Sequence, residues 1–294
     1  MDNYTLITDV TCDLDDRTYE DLGVVCIPMG FLFGDSEYMH YPDEREMSIK
    51  TFYERLENGE MPKTAQINPL VYREYFEKSL KAGKDVLCLS FSSGLSGSTS
   101  TAFMVARELE EQYPERTIRV IDTLCASVGE GSVILQAARA KRAGATLEEL
   151  ADKVQDDIAH CCQWFTVDNL MHLKRGGRLN SFEAIVGSAL KIQPVLTIDP
   201  EGKLTVVSKE RGTKNALAYL MRRLREDAAD ANSQTILIAH ADCPEKAEML
   251  RSMVNAEYPG AEVLVYKIGP IIGAHVGNGM CAMVFGGARP GFGK

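Results

Sequence analysis

Short apolar runs alternate with helical stripes through roughly the first 160 residues. Tyr4 to Thr8, Val24 to Met29, Val86 to Phe91 and Ile118 to Ile121 have the length and apolar content of buried strands. After Gly97 the spacing changes: Ala102, Val105, Ala106, Leu109 and Tyr113 recur at helical intervals, while Glu108, Glu110 and Glu111 fall off the stripe. That pattern predicts a surface helix with one buried face. Asn68-Pro69 places a capping side chain before a proline at the first helical position, and Thr146 with Glu149 forms a capping box ahead of Leu147, Leu150, Val154 and Ile158. Strands alternating with helices predict an α/β half with a mainly parallel sheet.

The pattern is different beyond about residue 160. Val195 to Ile198 and Leu204 to Ser208 flank Asp199-Pro200-Glu201-Gly202, whose residues suit a type I turn, so an antiparallel hairpin is expected. Thr235 to Ala239, a helix beyond Pro244, Val263 to Ile268 and Met280 to Phe285 then predict a mixed sheet with helices. The expected fold is therefore α/β in two domains, 1–160 with the mainly parallel sheet and 161–294 with the mixed one. A chain of 294 residues is long for a single core, and the cleft between two domains is a natural ligand site.

Charge narrows the partners. With 32 basic and 42 acidic residues the net charge is −10, which opposes general nucleic-acid binding. The chain enters Tyr4 to Asp9 without a basic segment and apolar stretch ahead of it, and no apolar run approaches the length of a membrane span, so a cytoplasmic protein without an integral membrane segment is expected. Eight cysteines without a C-x-x-C pair read as reduced core residues rather than a disulfide frame or zinc site, with the vicinal Cys161 and Cys162 pointing to opposite faces of a strand.

Five polar segments could carry chemistry. Ser92-Ser93-Gly94-Leu95-Ser96-Gly97-Ser98-Thr99 lies between a strand and a helix. Its glycines allow close approach of a ligand, and its hydroxyls and free helix N–H groups suit a carboxylate or phosphate. The plainer alternative is a serine-capped turn. Asp9 and Asp13, after the first strand, could serve a metal or act as a base, but capping is the preferred reading. Thr64-Ala65-Gln66-Ile67-Asn68-Pro69 opens a helix with a hydroxyl and an amide that could face the same cleft. Leu170 to Leu179 sets Lys174, Arg175 and Arg178 around Gly176 and Gly177, where guanidinium forks could clamp a phosphate or dock an acidic partner. Ile268 to Gly279 reads as a glycine-rich loop holding His275, a candidate donor to an anion.

The order of these segments, T-D-x-x-x-D-L, T-x-Q, S-S-G-L-S-G, L-x-x-L-x-x-G-G-R and G-P-x-I-G-x-H-x-G, resembles the DegV family, the fatty-acid-binding subunits of bacterial fatty acid kinase. The resemblance spans nearly the whole chain. It implies an N-terminal α/β lipid-binding domain, a C-terminal mixed-sheet domain closing the cleft, and a long-chain fatty acid between them with its tail toward the N-terminal core. By that resemblance Thr64, Ser93 and His275 bind the carboxylate, with Gly94, Ser96 and Gly97 completing the loop. It further implies that this chain has no catalytic residue, cofactor or metal of its own and presents the carboxylate to a separate fatty acid kinase catalytic subunit. Arg178 and Arg211, with Thr213 and Lys214, are the candidate docking face. Val10, Ala65, Asn180 and Asn278 depart from the family's usual residues. The rivals are a serine hydrolase using Ser93 or Ser96 with His275 and Asp9, which lacks the G-x-S-x-G elbow, and an enzyme taking a phosphorylated metabolite through the serine loop and Arg178. A narrow apolar tunnel beside the loop would disfavour the second; an open polar cleft would favour it.

Overall fold

A computed structural model describes residues 3–179 and 192–292; Asn180 lies outside the described residues. In chain order the first half forms β1 (Tyr4–Asp9), α1 (Asp16–Leu22), β2 (Val25–Ile27), β3 (Met29–Phe33), β4 (Ser36–His40), α2 (Ile49–Glu57), β5 (Pro62–Thr64), α3 (Pro69–Lys81), β6 (Asp85–Ser90), α4 (Ser98–Gln112), β7 (Ile118–Asp122), α5 (Val128–Arg142) and α6 (Leu147–His160). The second half forms β8 (Cys161–Thr166), α7 (Met171–Arg175), β9 (Ile192–Ile198), β10 (Leu204–Arg211), α8 (Thr213–Asp227), β11 (Thr235–His240), α9 (Pro244–Glu257), β12 (Glu262–Lys267), α10 (Pro270–Val276) and β13 (Cys281–Gly286).

The first sheet runs β2-β1-β6-β7 and is parallel throughout, with Ile7 opposite Val25 and Leu6 opposite Leu87. Helices flank it at the capped starts expected of them: Asn68 Oδ1 accepts from Leu70 N at 2.9 Å, and the Thr146–Glu149 capping box closes. Val24 to Met29 is not one strand. Pro28 supplies no donor to a ladder, so the chain leaves β2 there and begins a second, antiparallel sheet, β4-β3-β5. Its hairpin turns through Gly34, at φ +57°, with Phe33 opposite Ser36.

The third sheet runs β10-β9-β8-β13-β11-β12 and is mixed: only β11–β12 pair in parallel. The β9–β10 hairpin closes through Gly202 N to Asp199 O at 2.9 Å, while Asp199 Oδ1 accepts from Glu201 N and Lys203 N. Residues alternate between two cores along this sheet. Cys161, Phe165, Ala282 and Val284 join the core shared with the parallel sheet; Cys162, Cys281, Met283 and Phe285 pack with α8 and α9 through Leu217, Leu220, Leu250 and Val254. The vicinal cysteines thus face opposite sides, and all eight cysteines are free.

Within Ile268 to Gly279, Pro270–Val276 forms a helix, α10, rather than part of a glycine loop. Gly269 is its N-cap, Pro270 takes the first turn without losing a bond, and Ile271 and Ile272 bury its face. Gly273 has no room for a Cβ because the Tyr53 hydroxyl, which donates to Ile268 O at 3.0 Å, lies against it. Among the described residues no helix is long and apolar enough to cross a membrane.

Candidate functional site

A cavity of about 1120 Å³, the open solvent at its mouth included, lies where the C-terminal ends of β1 and β6 face β8, β9, β13 and α10. Its wall is largely apolar, with Met29, Phe91, Leu95, Phe165, Ile198, Ile271 and Ile272 among the lining side chains. The lining residues that stay partly exposed include Thr64, Gln66, Ser96, Gly97 and Arg178, and these define the mouth.

Four local structures converge there. The edge strand β5 presents Thr64, and the last turn of α10 presents His275, whose Nε2 lies 2.9 Å from Thr64 Oγ1. The loop before α4 supplies Ser96 and Gly97; Ser96 Oγ accepts from Ser98 N at 3.2 Å and donates to Ser98 Oγ at 3.1 Å. A Cβ at Gly97 would collide with the Gln66 amide, so glycine there lets the two polar turns meet. The turn after α7 supplies Arg178, whose Nε donates to Leu95 O at 3.0 Å and whose guanidinium also reaches Gly176 O. Gly176 is held small by the His275 ring directly above it.

Burial, with a smaller push from the Arg178 charge, lowers the His275 pKa to about 4. The ring is therefore neutral at pH 7, and its Nδ1 is buried without a hydrogen-bond partner among the described residues. If Nε2–H donates to Thr64 Oγ1, the threonine hydroxyl hydrogen is released toward the cavity. A hydroxyl donor and a permanent cation then stand together at one end of an apolar chamber, an arrangement suited to an amphiphile with an anionic head.

Several expected site residues sit elsewhere. Ser93 and Gly94 do not line the cavity: the Ser93 residue is exposed with its N–H on Asp122 Oδ1 at 3.2 Å, and Gly94 is pressed against the backbone of Glu201 and Gly202. The cause is the β9–β10 turn, whose Gly202 O accepts from Ser92 Oγ at 2.7 Å and which occupies that side of the loop. Ser96, from the same loop, does line the cavity. Arg178, expected on the docking face, lines the mouth because the turn after α7 folds over Leu95. Arg211 ends β10 in an exposed position and Lys214 is exposed on α8, while Thr213 Oγ1 accepts from Gln193 Nε2 at 3.2 Å; none of the three lines the cavity.

Asp9 caps the turn Val10–Cys12, accepting from Thr11 N at 2.9 Å. Asp13, at φ +52°, ties three segments instead: it accepts from Gly269 N at 2.8 Å and from Ser127 Oγ at 2.5 Å. Burial pushes its pKa up to about 8. No motif or spacing marks Glu130, which is fully buried and shares the Thr11 hydroxyl with Asp9, at 3.0 Å on its own side. Burial first, then the neighbouring Asp9, hold its pKa well above the ordinary carboxylate value. A polar position in the first turn of a helix carries no mark of what it will face.

The hydrolase constellation does not form. His275 Nε2 is bonded to Thr64 rather than to a serine, no carboxylate among the described residues orients Nδ1, and Asp9 is engaged by Thr11. Among the described residues no group of three or more His, Cys, Asp or Glu side chains is arranged to hold a metal ion.

A family model described as an uncharacterised protein of the DegV family matches residues 3–286. A DegV domain-containing protein of Clostridium perfringens is 37% identical over 97% of this chain and 98% of its own length. A DegV family protein from Thermus thermophilus, whose structure is described for fatty acid binding, superposes with a TM-score of 0.86 at 28% identity, covering 97% of this chain and 99% of that one. The Streptococcus pneumoniae Fatty Acid Kinase (Fak) B3 protein, loaded with linoleic acid, shares the fold with a TM-score of 0.84 at 20% identity, covering 97% of this chain and 99% of that one.

Proposed function

The chain belongs to the DegV family, and on that premise we propose that it binds a long-chain fatty acid in this cavity and presents the carboxylate to a separate kinase subunit. The observation that carries the reading is the Thr64–His275 pair beside Arg178 at the mouth of an otherwise apolar chamber. Neutral His275 donates its Nε2–H to the Thr64 hydroxyl oxygen from behind, which leaves the hydroxyl hydrogen to turn to the carboxylate. Ser96 and the start of α4 add donors, and Arg178 supplies the opposite charge. The tail then occupies the apolar wall, where each buried methylene contributes ~0.8 kcal/mol. Orientation comes from the polar end and affinity from the tail.

The kinase partner is the finer part of the proposal. It rests on the family resemblance and on the carboxylate being held at the open end, where a second protein could reach it. Arg211 and Lys214, exposed away from the cavity, remain candidates for that contact. Lysine and arginine there would meet an acidic face on the partner.

The test is native mass spectrometry of the purified protein followed by lipid extraction. A bound long-chain fatty acid, lost on denaturation and replaceable by added acid, is the expected result. A lipid-free protein that takes up no fatty acid would overturn the reading. A small phosphorylated metabolite released in place of lipid would favour the phosphate-binding alternative.

A further inference from the structure

Deeper in the cavity, away from the mouth, the wall is not uniformly apolar. Gln163 on β8 lines it and is 5% exposed; its Oε1 accepts from Ala126 N at 3.0 Å, which fixes the amide orientation and leaves Nε2 as the free donor. Nε2 is buried and has no hydrogen-bond partner among the described residues. The amide cannot swing aside into α5, because its oxygen already fills the space where a Cβ at Gly129 would lie. Asp9, Thr11 and Ser127 line the same chamber, each no more than 5% exposed, and bring acceptor oxygens with them.

A plain hydrocarbon tail lying here would leave the Gln163 donor dry and unpaired, the costly case for a buried polar group. A hydroxyl both accepts and donates. It would accept from Gln163 Nε2 and give its hydrogen to a carboxyl or hydroxyl oxygen of the Asp9–Thr11–Ser127 group, whereas a double bond satisfies neither side. We propose that this chamber receives a hydroxyl carried along the acyl chain, so that the preferred ligand class is a hydroxy fatty acid; the inference rests on the fatty acid reading above. The mouth and the inner polar group draw on different elements, β5, α10 and the α4 and α7 loops for one, β1, α5 and β8 for the other, so one ligand can engage both.

The test is a displacement titration of delipidated protein with octadecanoic acid and a series of its positional monohydroxy isomers. At least one isomer away from the carboxylate is expected to bind about 10-fold or more tightly than the plain acid. Gln163→Leu should bring that preference to within about twofold, because the donor is gone. Every isomer binding no better than the plain acid would overturn the inference, as would an unchanged preference in folded Gln163→Leu; the wild-type series decides the matter even if the variant does not fold. Failure of all acids to bind, plain and hydroxylated, would instead overturn the fatty acid reading itself.

Discussion

Thr64→Val removes one hydroxyl at constant shape and isolates the carboxylate contact from the rest of the cavity. Valine suits the β5 position, since Thr64 is itself β-branched and sits at the end of an edge strand paired with Phe31. The variant loses the donor that His275 Nε2 supports at 2.9 Å. A hydrogen bond to a charged group contributes about 1.5 to 3 kcal/mol, so fatty acid affinity should fall roughly 10- to 150-fold. His275 cannot compensate by becoming charged, because burial and Arg178 hold its pKa at about 4. Its unpaired Nε2 costs stability in free and bound protein alike, on the order of 1 to 3 kcal/mol, and so largely cancels from the binding comparison. Binding should weaken but persist, since the tail burial is untouched. The assay is isothermal titration of delipidated wild type and Thr64→Val at neutral pH, repeated with the fatty alcohol of the same length. The alcohol should lose much less than the acid. Unchanged acid affinity in a folded variant, or equal losses for acid and alcohol, would refute the reasoning.

Ser96→Ala should weaken acid binding about 10-fold while Ser93→Ala stays within about twofold, measured by the same titration; the reverse order would return Ser93 to the site. Arg178→Gln should raise the His275 pKa from about 4 toward its ordinary value while burial still holds it below, seen by NMR titration of the ring, and should weaken the acid more than the alcohol. Asp13→Asn should remove a pH-dependent loss of stability. Asp13 has its folded pKa raised to about 8, so between its unfolded value of 3.8 and that point the folded state holds a proton the unfolded state has released, and stability falls as pH rises. Thermal melts from pH 5 to 8 should therefore show the wild type declining relative to Asp13→Asn; parallel curves would contradict that assignment.

Much of the architecture was written locally. Strand runs such as Val86 to Phe91, the caps at Asn68 and Thr146, and the Asp199 to Gly202 turn each depend on residues within a few positions of one another, so periodicity and turn chemistry were enough to place them. The spaced polar motifs likewise marked Thr64, Ser93 and His275, of which Thr64 and His275 line the cavity. Local signals are also present where the structure departs from the apolar periodicity: Pro28 after a short strand, Gly34-Asp35 between alternating residues, and Pro270 at a helix start. Other features had no local signal. Ser93 and Ser96 are chemically alike in sequence, and what separates them is a turn more than 100 residues away that packs on Ser92 and Gly94 and leaves Ser93 outside the cavity. Arg178 reaches the mouth only because its turn closes over Leu95, and Glu130 meets Asp9 only because α5 packs against the end of β1. Side-chain chemistry and short-range geometry belong to the sequence; which groups share a cavity wall was decided when the two sheets packed together and brought distant segments within hydrogen-bonding reach.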